Sequence, residues 1–359
     1  MAFSRIELRN FRCFDSLIID ISSKSNLFYG KNGCGKTSIL ESIYVASCGR
    51  SFRTSNLESL IKRGCNSFKI KAYDDTTGSI LEVNKSKSKA IKIKINNSLV
   101  TISELARTFP SFSIDSKTFF YNDNAPDYRR KHLDRGLFIA SPDYAKDWFG
   151  YFRGLKQRNA ALKTGDISQA KAYDETLINH GIKLNYLRKN LILEVTKIYL
   201  DFVEILEQYN KRAQLFSEID IYLKSGFNDE LGLKNSFIKS ESADLKRKST
   251  TLGPHKADII FESKGLLIKD TFSRGEQKML SILWSLSQNI YLEKFFKLTP
   301  ILLLDDLSSE LDAEMLDCFL PIIKYIENRF IFSNIVDSFN SKIDVSEKSF
   351  KKFHVEQLT

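Results

Sequence analysis

The spacing of hydrophobic and polar positions changes twice along this chain. Residues 1 to about 110 have the patterns of strands: Ile6 and Leu8 alternate with polar residues, and the apolar run from Asn26 to Tyr29 leads directly into glycines. From about Asp127 to Phe216, apolar residues recur at helical spacing with charges on the opposing positions. We therefore predict an α/β part at the start of the chain, followed by a compact helical lobe.

The helical pattern has a break and an end. The run from Thr164 to Asp166 contains a glycine and divides the pattern into antiparallel helices. The helical pattern itself is too short and irregular for a long coiled coil. A polar stretch rich in serine and lysine, from about Lys234 to Thr250, follows before strand and helix patterns return. The α/β part is therefore predicted to be split, as residues 1–125 and 236–359, with the helical lobe at 126–235 inserted.

A lysine-rich segment lies near the end of the first part. Between Asn84 and Asn96 the sequence favours one strand with isoleucines on one face and lysines on the other. Such lysines can protect a solvated edge strand from pairing with another chain, or they can contact phosphates. The pattern alone leaves both interpretations open.

A phosphate-binding loop is predicted at residues 30–38. The string fits the pattern GxxxxGK[ST], follows the strand that ends at Tyr29, and precedes a helical pattern, so a simple turn before a helix is the weaker interpretation. In such loops a lysine bridges the β and γ phosphates and a threonine ligates Mg²⁺, which assigns these roles to Lys36 and Thr37. The expected nucleotide contacts are Gly30, Lys31, Asn32, Gly33, Cys34, Gly35, Lys36, Thr37 and Ser38.

A pair of carboxylates ends an apolar run late in the chain. Thr299 to Leu304 favours a buried parallel strand, and Asp305 and Asp306 follow at the end where α/β sheets bind ligands. We expect Asp305 to hold Mg²⁺, usually through water, and Asp306 to orient or deprotonate the attacking water.

A short motif precedes an amphipathic helix between these two sites. Ser273 and Gly275 lie in the string Phe-Ser-Arg-Gly-Glu-Gln-Lys, directly before apolar positions at helical spacing. Ser273 is also an ordinary residue for capping such a helix.

Composition narrows the class of protein. The formal net charge of +10 over 359 residues favours a polyanionic partner such as nucleic acid. No stretch reaches the roughly 18 uncharged apolar residues of a membrane helix, and the start of the chain has no apolar signal core, so we expect a cytoplasmic protein without a membrane partner. The 5 cysteines are scattered without a CxxC pair, and we expect free thiols.

The motif at Ser273, some thirty residues before the Asp-Asp strand end, resembles the signature of ABC ATPases. The resemblance implies that Ser273, with Gly275, contacts the γ phosphate of ATP bound to the other subunit, so that ATP is sandwiched in a homodimer. The run from Ser308 to Asp312 resembles the loop after the second carboxylate in that family, whose final aspartate touches the partner subunit.

Further strings narrow the resemblance to the RecF family, recombination-mediator ATPases related to the heads of SMC-type proteins but without their long coiled coil. Strings that recur in this order in RecF are residues 8–12, 48–53, 126–130 with 133–134, 155–159 and 253–256. The resemblance implies ATP-dependent dimerisation on duplex DNA near single-strand gaps and slow DNA-stimulated ATP hydrolysis. It also implies cooperation with RecR and RecO in loading RecA, in gap repair, recombination and the SOS response, with contact to single-stranded DNA.

The chain departs from these families at several positions. The Gly-Pro-His-Arg-Asp-Asp run of RecF is here Gly-Pro-His followed by Lys256, Ala257 and Asp258, which puts in doubt any role that needs a forked guanidinium.

Where ABC ATPases often carry a histidine after a strand, this chain has Ser333 and Asn334, which become the candidates for that phosphate contact. The glutamine of the lobe-joining loop has no counterpart that we can assign, and His255 is open to a catalytic or a structural role. Asp306 stands where many ABC enzymes have glutamate, and we predict slow turnover.

The candidate DNA contacts are clustered cations in the strand-rich part, without an aromatic stacking platform, which favours backbone binding without sequence readout. They are Arg50, Arg53, Lys62, Arg63, Lys85, Lys87, Lys89, Lys92 and Lys94.

Three other functions use the same motifs. A small-molecule phosphotransferase uses Lys36 and Thr37 in the same way but has no need of the signature at Ser273. An ATPase that powers a transporter would need a membrane partner, and the inserted lobe and the RecF-like strings fit it poorly. An ATPase of a defence nuclease would need a further acidic metal cluster, which we do not find in the sequence. A nucleotide-gated scaffold, in which hydrolysis only resets assembly, overlaps the main interpretation.

Overall fold

The chain forms two compact units, each built from discontinuous segments. The computed structural model describes residues 3–21, 25–119, 121–306, 311, 315, 317, 319, 321–322, 326, 330–334 and 350–358. Unit 1 comprises residues 1–120, 204–211 and 273–359, and unit 2 comprises residues 121–203 and 212–272. The predicted domain limits at 125/126 and 235/236 remain predictions, whereas the units defined by contacts change at 120/121 and 272/273.

A parallel sheet forms the centre of unit 1. Its strands are β3 (Ser25–Tyr29), β8 (Ser111–Ile114), β12 (Ile301–Asp305), β13 (Phe330–Asn334) and β14 (Phe350–His354). Within the described residues their order is β14-β3-β13-β12-β8, and each neighbouring pair is parallel. The expected buried strand before Asp305 is confirmed as β12, because Ile301 to Leu304 are all buried. Because parallel strands end on the same edge, the carboxyl ends of β3, β12 and β13 lie together.

An antiparallel sheet forms the second layer of unit 1. Its strands are β1 (Phe3–Phe11), β2 (Phe14–Asp20), β4 (Ser67–Asp74), β5 (Ser79–Ser86), β6 (Lys92–Ile95) and β7 (Ser98–Leu99). The described order is β2-β1-β4-β5-β6-β7, with alternating buried and exposed positions. The prediction of one strand from Asn84 to Asn96 is wrong: β5 and β6 form a hairpin, whose turn includes Ser88 at φ +56°.

Helix α1 (Lys36–Cys48) lies between the two sheets of unit 1. It contacts β1, β4 and β5 of the antiparallel sheet and β8, β12 and β13 of the parallel sheet. Every residue of α1 except Thr37 is buried, which explains why its apolar side chains are not confined to one face. Further helices in the described part of unit 1 include α2 (Ile102–Thr108), α3 (Ser116–Phe119) and α11 (Arg274–Phe296), with short 3-10 helices at Leu57–Leu60 and Val355–Gln357.

Unit 2 is mainly helical, as the spacing of its apolar residues predicts. Its helices are α4 (Pro126–Ala140), α5 (Pro142–Thr164), α6 (Ile167–Ala172), α7 (Asp174–Glu207, whose last four residues belong to unit 1), α8 (Gln214–Ser217), α9 (Gly232–Arg247) and α10 (Ile268–Thr271), with 3-10 helices at Lys211–Ala213 and Pro254–Lys256. The predicted break is confirmed, because Gly165 caps α5 at φ +79° and Asp166 caps α6.

The polar stretch from Lys234 to Thr250 is mostly helix. It forms most of α9, which buries Leu233 and Phe237 together with Ser236, Ser240 and Asp244 on one face. Serines on the buried face disguised its period. Unit 2 also contains the strands β9 (Ile219–Lys224), β10 (Asp258–Ser263) and β11 (Leu266–Leu267), which form an antiparallel sheet. Among the described residues, no helix combines the length and apolarity needed to cross a membrane.

Candidate nucleotide-binding site

The phosphate loop connects the end of β3 to the start of α1. Gly30 has φ +146° and Gly35 has φ +108°, both in the region that favours glycine. A Cβ on Gly35 would lie 2.5 Å from Phe14 Cζ, so the loop also needs glycine there for space. Lys36 Nζ donates to the carbonyl oxygens of Gly30 and Lys31, both at 2.7 Å. These contacts hold the lysine across the mouth of the loop.

The loop lines an open pocket of about 530 Å³ in unit 1. Six predicted residues of the loop and helix start line it, and Asp306 lines it from the parallel sheet. The complete lining is Arg12, Cys13, Asn32, Gly33, Gly35, Lys36, Thr37, Ser38, Arg53, Ser59, Ile61, Arg63, Asp306 and Ser333. The first N–H groups of α1 have no partner within the helix, so they and the surrounding cations suit a phosphate chain.

The carboxylates after β12 meet Thr37 and Ser333, which lies at the end of β13. Thr37 Oγ1 donates to Asp305 Oδ1 at 2.9 Å, across 268 positions of sequence. Ser333 Oγ donates to the same oxygen at 2.5 Å and accepts from the Asp306 N–H at 3.2 Å. Asp306 has φ +59°, a left-handed conformation that is uncommon for residues other than glycine. The edge therefore brings together both predicted carboxylates and the predicted hydroxyl.

Burial controls the electrostatics of this edge. It raises the pKa of Asp305, against the hydrogen bonds from Ser333 and Thr37, and the neighbouring charge of Asp306 acts in the same direction as burial. Burial also raises the pKa of Asp115, which follows β8 and accepts from the N–H groups of Lys117 and Thr118. A divalent cation bound here would favour the ionised carboxylates.

The donor set fits Mg²⁺. A threonine hydroxyl and a carboxylate are oxygen ligands of the kind that Mg²⁺ takes along with phosphate and water. Because the Thr37 hydroxyl hydrogen points to Asp305, its oxygen lone pairs remain for a cation. Among the described residues there is no cluster of three or more His, Cys, Asp or Glu side chains that could hold a metal.

A buried carboxylate behind the loop was missed by sequence reasoning. Glu41 of α1 is fully buried and accepts from Arg12 Nε and Nη2, both at 2.8 Å, and from Ser51 Oγ at 2.5 Å. Arg53 Nη1 lies 3.9 Å away. The strings 8–12 and 48–53 therefore meet at one side chain, and two arginines that line the pocket are held there.

Ser273 caps α11 and is exposed. Its hydroxyl accepts from the Glu276 N–H at 3.4 Å, and the Glu276 carboxylate accepts from the Ser273 N–H at 2.7 Å. This capping box accounts for part of the motif in structural terms. Gly275 follows in the first turn of the helix. Asp312 and residues 308–310 lie outside the described residues, as does the side chain of Asn334.

The candidate DNA cations fall into different environments. Lys87, Lys89 and Lys92 are exposed on the β5–β6 hairpin, with Lys94 partly exposed beside them. Arg53 and Arg63 line the nucleotide pocket, Arg50 is exposed after α1, and Lys62 pairs with Asp15 at 2.5 Å. Lys85 is buried, and its Nζ donates to Glu58 and to the carbonyls of Ser86 and Lys89. Lys85 remains a predicted contact, but its burial and these three bonds make it less suited to a phosphate than the exposed lysines of the hairpin. Register adds a cation that the sequence did not suggest: Lys69 of β4 lies in one cross-strand row with Lys92.

The strings in unit 2 form a second, separate arrangement of charges. It surrounds the turn that contains residues 253–256. Arg188 donates to both oxygens of Asp134 and to the carbonyl of Pro254, each at 2.7 Å. Arg158 donates to Asp244 at 2.7 Å and to Thr250 at 2.8 Å.

His255 is part of this arrangement. Nε2 donates to the Thr250 carbonyl at 3.1 Å, so Nδ1 accepts from the Tyr151 hydroxyl at 2.8 Å. Burial lowers the pKa of His255 to about 4. Because both ring nitrogens have partners in unit 2, its contacts favour the structural role. Lys256 is exposed, and the Ala257 carbonyl accepts from Arg130.

Comparison with known proteins decides the family. The model of the RecF/RecN/SMC N-terminal domain matches residues 2–357. A DNA replication and repair protein RecF of Coxiella burnetii (strain Dugway 5J108-111) is 31% identical over 334 residues, 92% of each chain. The chain belongs to the RecF family. A second RecF, from Hahella chejuensis (strain KCTC 2396), is 30% identical and covers 99% of this chain and 98% of its own.

Solved structures agree with the RecF assignment and define the fold. The recombination mediator protein RecF with ATP, in the RecFOR pathway, superposes with a TM-score of 0.81 at 26% identity, covering 99% of this chain and 96% of its own. An Smc head domain with an extended coiled coil, bound to the C-terminal domain of ScpA from Pyrococcus furiosus, gives 0.56 at 16% identity, covering 94% of this chain and 91% of its own. The predicted fold, an ABC-type P-loop ATPase head with an inserted helical lobe, is confirmed.

Proposed function

We propose that this RecF-family chain binds ATP with Mg²⁺ at residues 30–38 and hydrolyses it slowly as a DNA-repair ATPase. The observation that carries the proposal is the Thr37–Asp305 contact of 2.9 Å, which joins the phosphate loop to the carboxylate end of β12. Lys36 neutralises the phosphates, and Thr37 and Asp305 would hold Mg²⁺, which would supply further charge neutralisation there. Asp306 orients the attacking water. Its side chain is one methylene shorter than glutamate, which is the reason for slow turnover.

The site is completed by a second copy of the chain. Ser273 is exposed at the start of a 23-residue helix, where its hydroxyl and the helix N-terminus suit a γ phosphate bound to the partner subunit. Gly275 gives the phosphate room to approach. In this proposal Asp312 touches the partner as well. ATP therefore joins the subunits, and hydrolysis releases them.

DNA is the polyanion that the net charge of +10 favours. The exposed lysines of the β5–β6 hairpin, Lys87, Lys89 and Lys92, offer ammonium groups to a phosphate backbone, with Arg50, Lys62 and Lys94 as further candidates. Arg53 and Arg63 remain candidate DNA contacts, and because they line the pocket they are also candidate nucleotide contacts. No base-specific contact is needed for such binding.

The names of the relatives support a proposal for the biological setting. Curated relatives are named DNA replication and repair proteins, and the ATP-bound structure is a recombination mediator of the RecFOR pathway. We propose the same setting here: a cytoplasmic ATP-dependent clamp on duplex DNA near single-strand gaps. It acts with RecR and RecO to support RecA loading, gap repair, recombination and the SOS response.

Binding of a fluorescent gapped duplex tests this function. With ATP and Mg²⁺ we expect affinity at least about tenfold higher than without nucleotide, because a dimer engages the DNA with two basic surfaces. Lys36→Met and Ser273→Arg should each remove the ATP-dependent gain, and Ser285→Ala, a buried change within α11, is the matched control. Equal affinity with and without ATP contradicts the proposal.

A further inference from the structure

Ser333 and Asn334 are the residues found where many ABC ATPases have a histidine, and the Ser333 hydroxyl is already hydrogen-bonded to other protein groups. Its side chain is 3% exposed and lies opposite Asp305 in the β12–β13 register. The Oγ–Asp305 Oδ1 distance is 2.5 Å, shorter than an average hydroxyl–carboxylate bond. A hydroxyl has only one hydrogen, so the Ser333 hydroxyl, which donates it to Asp305, has none left to donate to another group.

The Ser333 hydroxyl oxygen also holds Asp306, the residue after Asp305. The Asp306 N–H donates to Ser333 Oγ and to the Ser333 carbonyl, each at 3.2 Å. These two acceptors hold Asp306 at φ +59°, a conformation that costs free energy for a residue with a Cβ. Without the Ser333 hydroxyl, one of the two acceptors that hold this turn is lost.

We propose that Ser333 is the positioning residue of the acidic pair: it sets the Asp305 carboxylate for the cation and the Asp306 backbone for the attacking water. It does so without touching the phosphates. Asp305 Oδ1 is then held from two sides, by Thr37 from the phosphate loop and by Ser333 from β13. The helix that follows β3 and the ends of β12 and β13 are therefore linked through one oxygen atom, Asp305 Oδ1.

This inference rests on the proposed function and assigns to Ser333 a role other than a γ-phosphate contact. A residue that contacts the phosphate directly contributes to ATP affinity with or without Mg²⁺. A residue that positions the carboxylates changes the Mg²⁺-dependent part of binding and the rate of hydrolysis. Removing a group that orients a metal ligand typically costs 10- to 100-fold in metal affinity or activity.

The test compares Ser333→Ala, Ser333→Thr and the control Ser285→Ala in the full chain. Ser285 is a buried serine of unit 1 whose hydroxyl donates within α11, to the Ser281 carbonyl at 2.8 Å. Equilibrium binding of a fluorescent ATP analogue is measured in EDTA and across a Mg²⁺ titration, alongside kcat, KM for ATP and the unfolding midpoint.

For Ser333→Ala we expect affinity in EDTA within about 2-fold of the parent chain, a Mg²⁺ requirement about 10-fold higher, and kcat about 10- to 100-fold lower. Ser333→Thr keeps the hydroxyl and should restore kcat to within a few-fold. A Ser333→Ala variant that matches the Ser285→Ala control in Mg²⁺ requirement and kcat overturns the inference. So does one that loses ATP affinity equally in EDTA and in Mg²⁺, because that result assigns a direct phosphate contact.

Failure of the proposed function gives a different result. If the parent chain binds ATP with Mg²⁺ but does not hydrolyse it, the hydrolysis proposal is wrong, while the Mg²⁺ titration of Ser333→Ala still decides the positioning role. If the parent chain binds no nucleotide under either condition, both proposals fail.

Discussion

The two units of this chain use buried charge in different ways. In unit 2, Arg188 is completely buried, and its guanidinium is shared between Asp134 and the Pro254 carbonyl. In unit 1, Glu41 is equally buried, but its partners Arg12 and Arg53 lie on the wall of an open pocket.

The difference separates scaffold from chemistry. A buried ion pair such as that of Arg188, in which every guanidinium nitrogen donates to the protein, stabilises one backbone arrangement and is turned away from ligands. A buried carboxylate that holds partly exposed arginines keeps those cations ready for an anion. Strings typical of RecF occur in both units, and only their contacts distinguish the two uses.

The largest expected effect is on the scaffold. Arg188→Leu leaves the Asp134 carboxylate without its guanidinium in a buried site, and we expect a loss of about 3–5 kcal/mol in the free energy of unfolding, measured by urea denaturation. Lys189→Leu is the control: Lys189 pairs with Asp229 at 2.8 Å, with both side chains more than 40% exposed, so its change should stay below about 1 kcal/mol. Equal losses in the two variants would remove the distinction between buried and exposed pairs.

A smaller loss of stability, with a functional consequence, is expected in the pocket. Glu41→Gln keeps the shape but removes the charge that faces Arg12, and we expect a loss of about 1–3 kcal/mol together with ATP affinity reduced about 10-fold. Calorimetry of ATP binding and thermal unfolding measure the two effects. Asp15→Asn, an exposed acid of the same unit, should leave both unchanged. If Glu41→Gln alters stability alone, the pocket is a scaffold like unit 2.

The pH dependence of unit 2 is expected to be of similar or smaller size. Burial lowers the pKa of His255 to about 4, below its ordinary value of 6.5. The unfolded chain therefore binds this proton first, so stability is lost as pH falls from about 6.5 to 4, by at most about 3 kcal/mol. His255→Asn should flatten this part of the urea-midpoint curve relative to the parent chain. Parallel curves would show that His255 titrates normally.

The smallest effect per residue is expected at the basic hairpin. Charge reversal of Lys87, Lys89 and Lys92 should weaken duplex binding and reduce the salt slope of log K by roughly 0.9 per lost phosphate contact. Reversal of three exposed lysines of α5, Lys146, Lys156 and Lys163, is the control. An unchanged affinity and salt slope in the hairpin variant would refute this DNA surface.

Lys85 allows a buried cation to be compared with the exposed lysines of the same hairpin. Its ammonium is bound to Glu58 and two carbonyl oxygens, so Lys85→Gln should lower stability and leave the salt slope of DNA binding unchanged. A reduced salt slope would show that Lys85 reaches the DNA.

The central elements of the site were predictable because each follows a local rule. The glycine-rich string after Tyr29 and the carboxylates after Leu304 are both strand ends, and parallel strands bring their ends to one edge. The Thr37–Asp305 contact follows from that rule, although 268 positions separate the two residues.

The missed features depend on contacts that no local pattern encodes. Glu41 is one acidic residue in an otherwise buried helix, and its partners Arg12 and Ser51 come from two different loops. The alternation of serine and lysine around Ser88 looked like a continuous strand. The turn depends on the left-handed conformation of Ser88, which the spacing of hydrophobic residues does not reveal. Helix α9 was hidden by serines on its buried face.

The central claim is that ATP joins two copies of this chain through Ser273. Light-scattering molar mass, with and without ATP and Mg²⁺, measures this directly for the parent chain and for Lys36→Met, Ser273→Arg and Asp306→Asn. We predict a parent chain that changes from monomer to dimer with ATP, a dimer trapped by Asp306→Asn, and monomers for the other two variants. A parent chain that binds ATP and remains a monomer would contradict the account and favour a phosphotransferase.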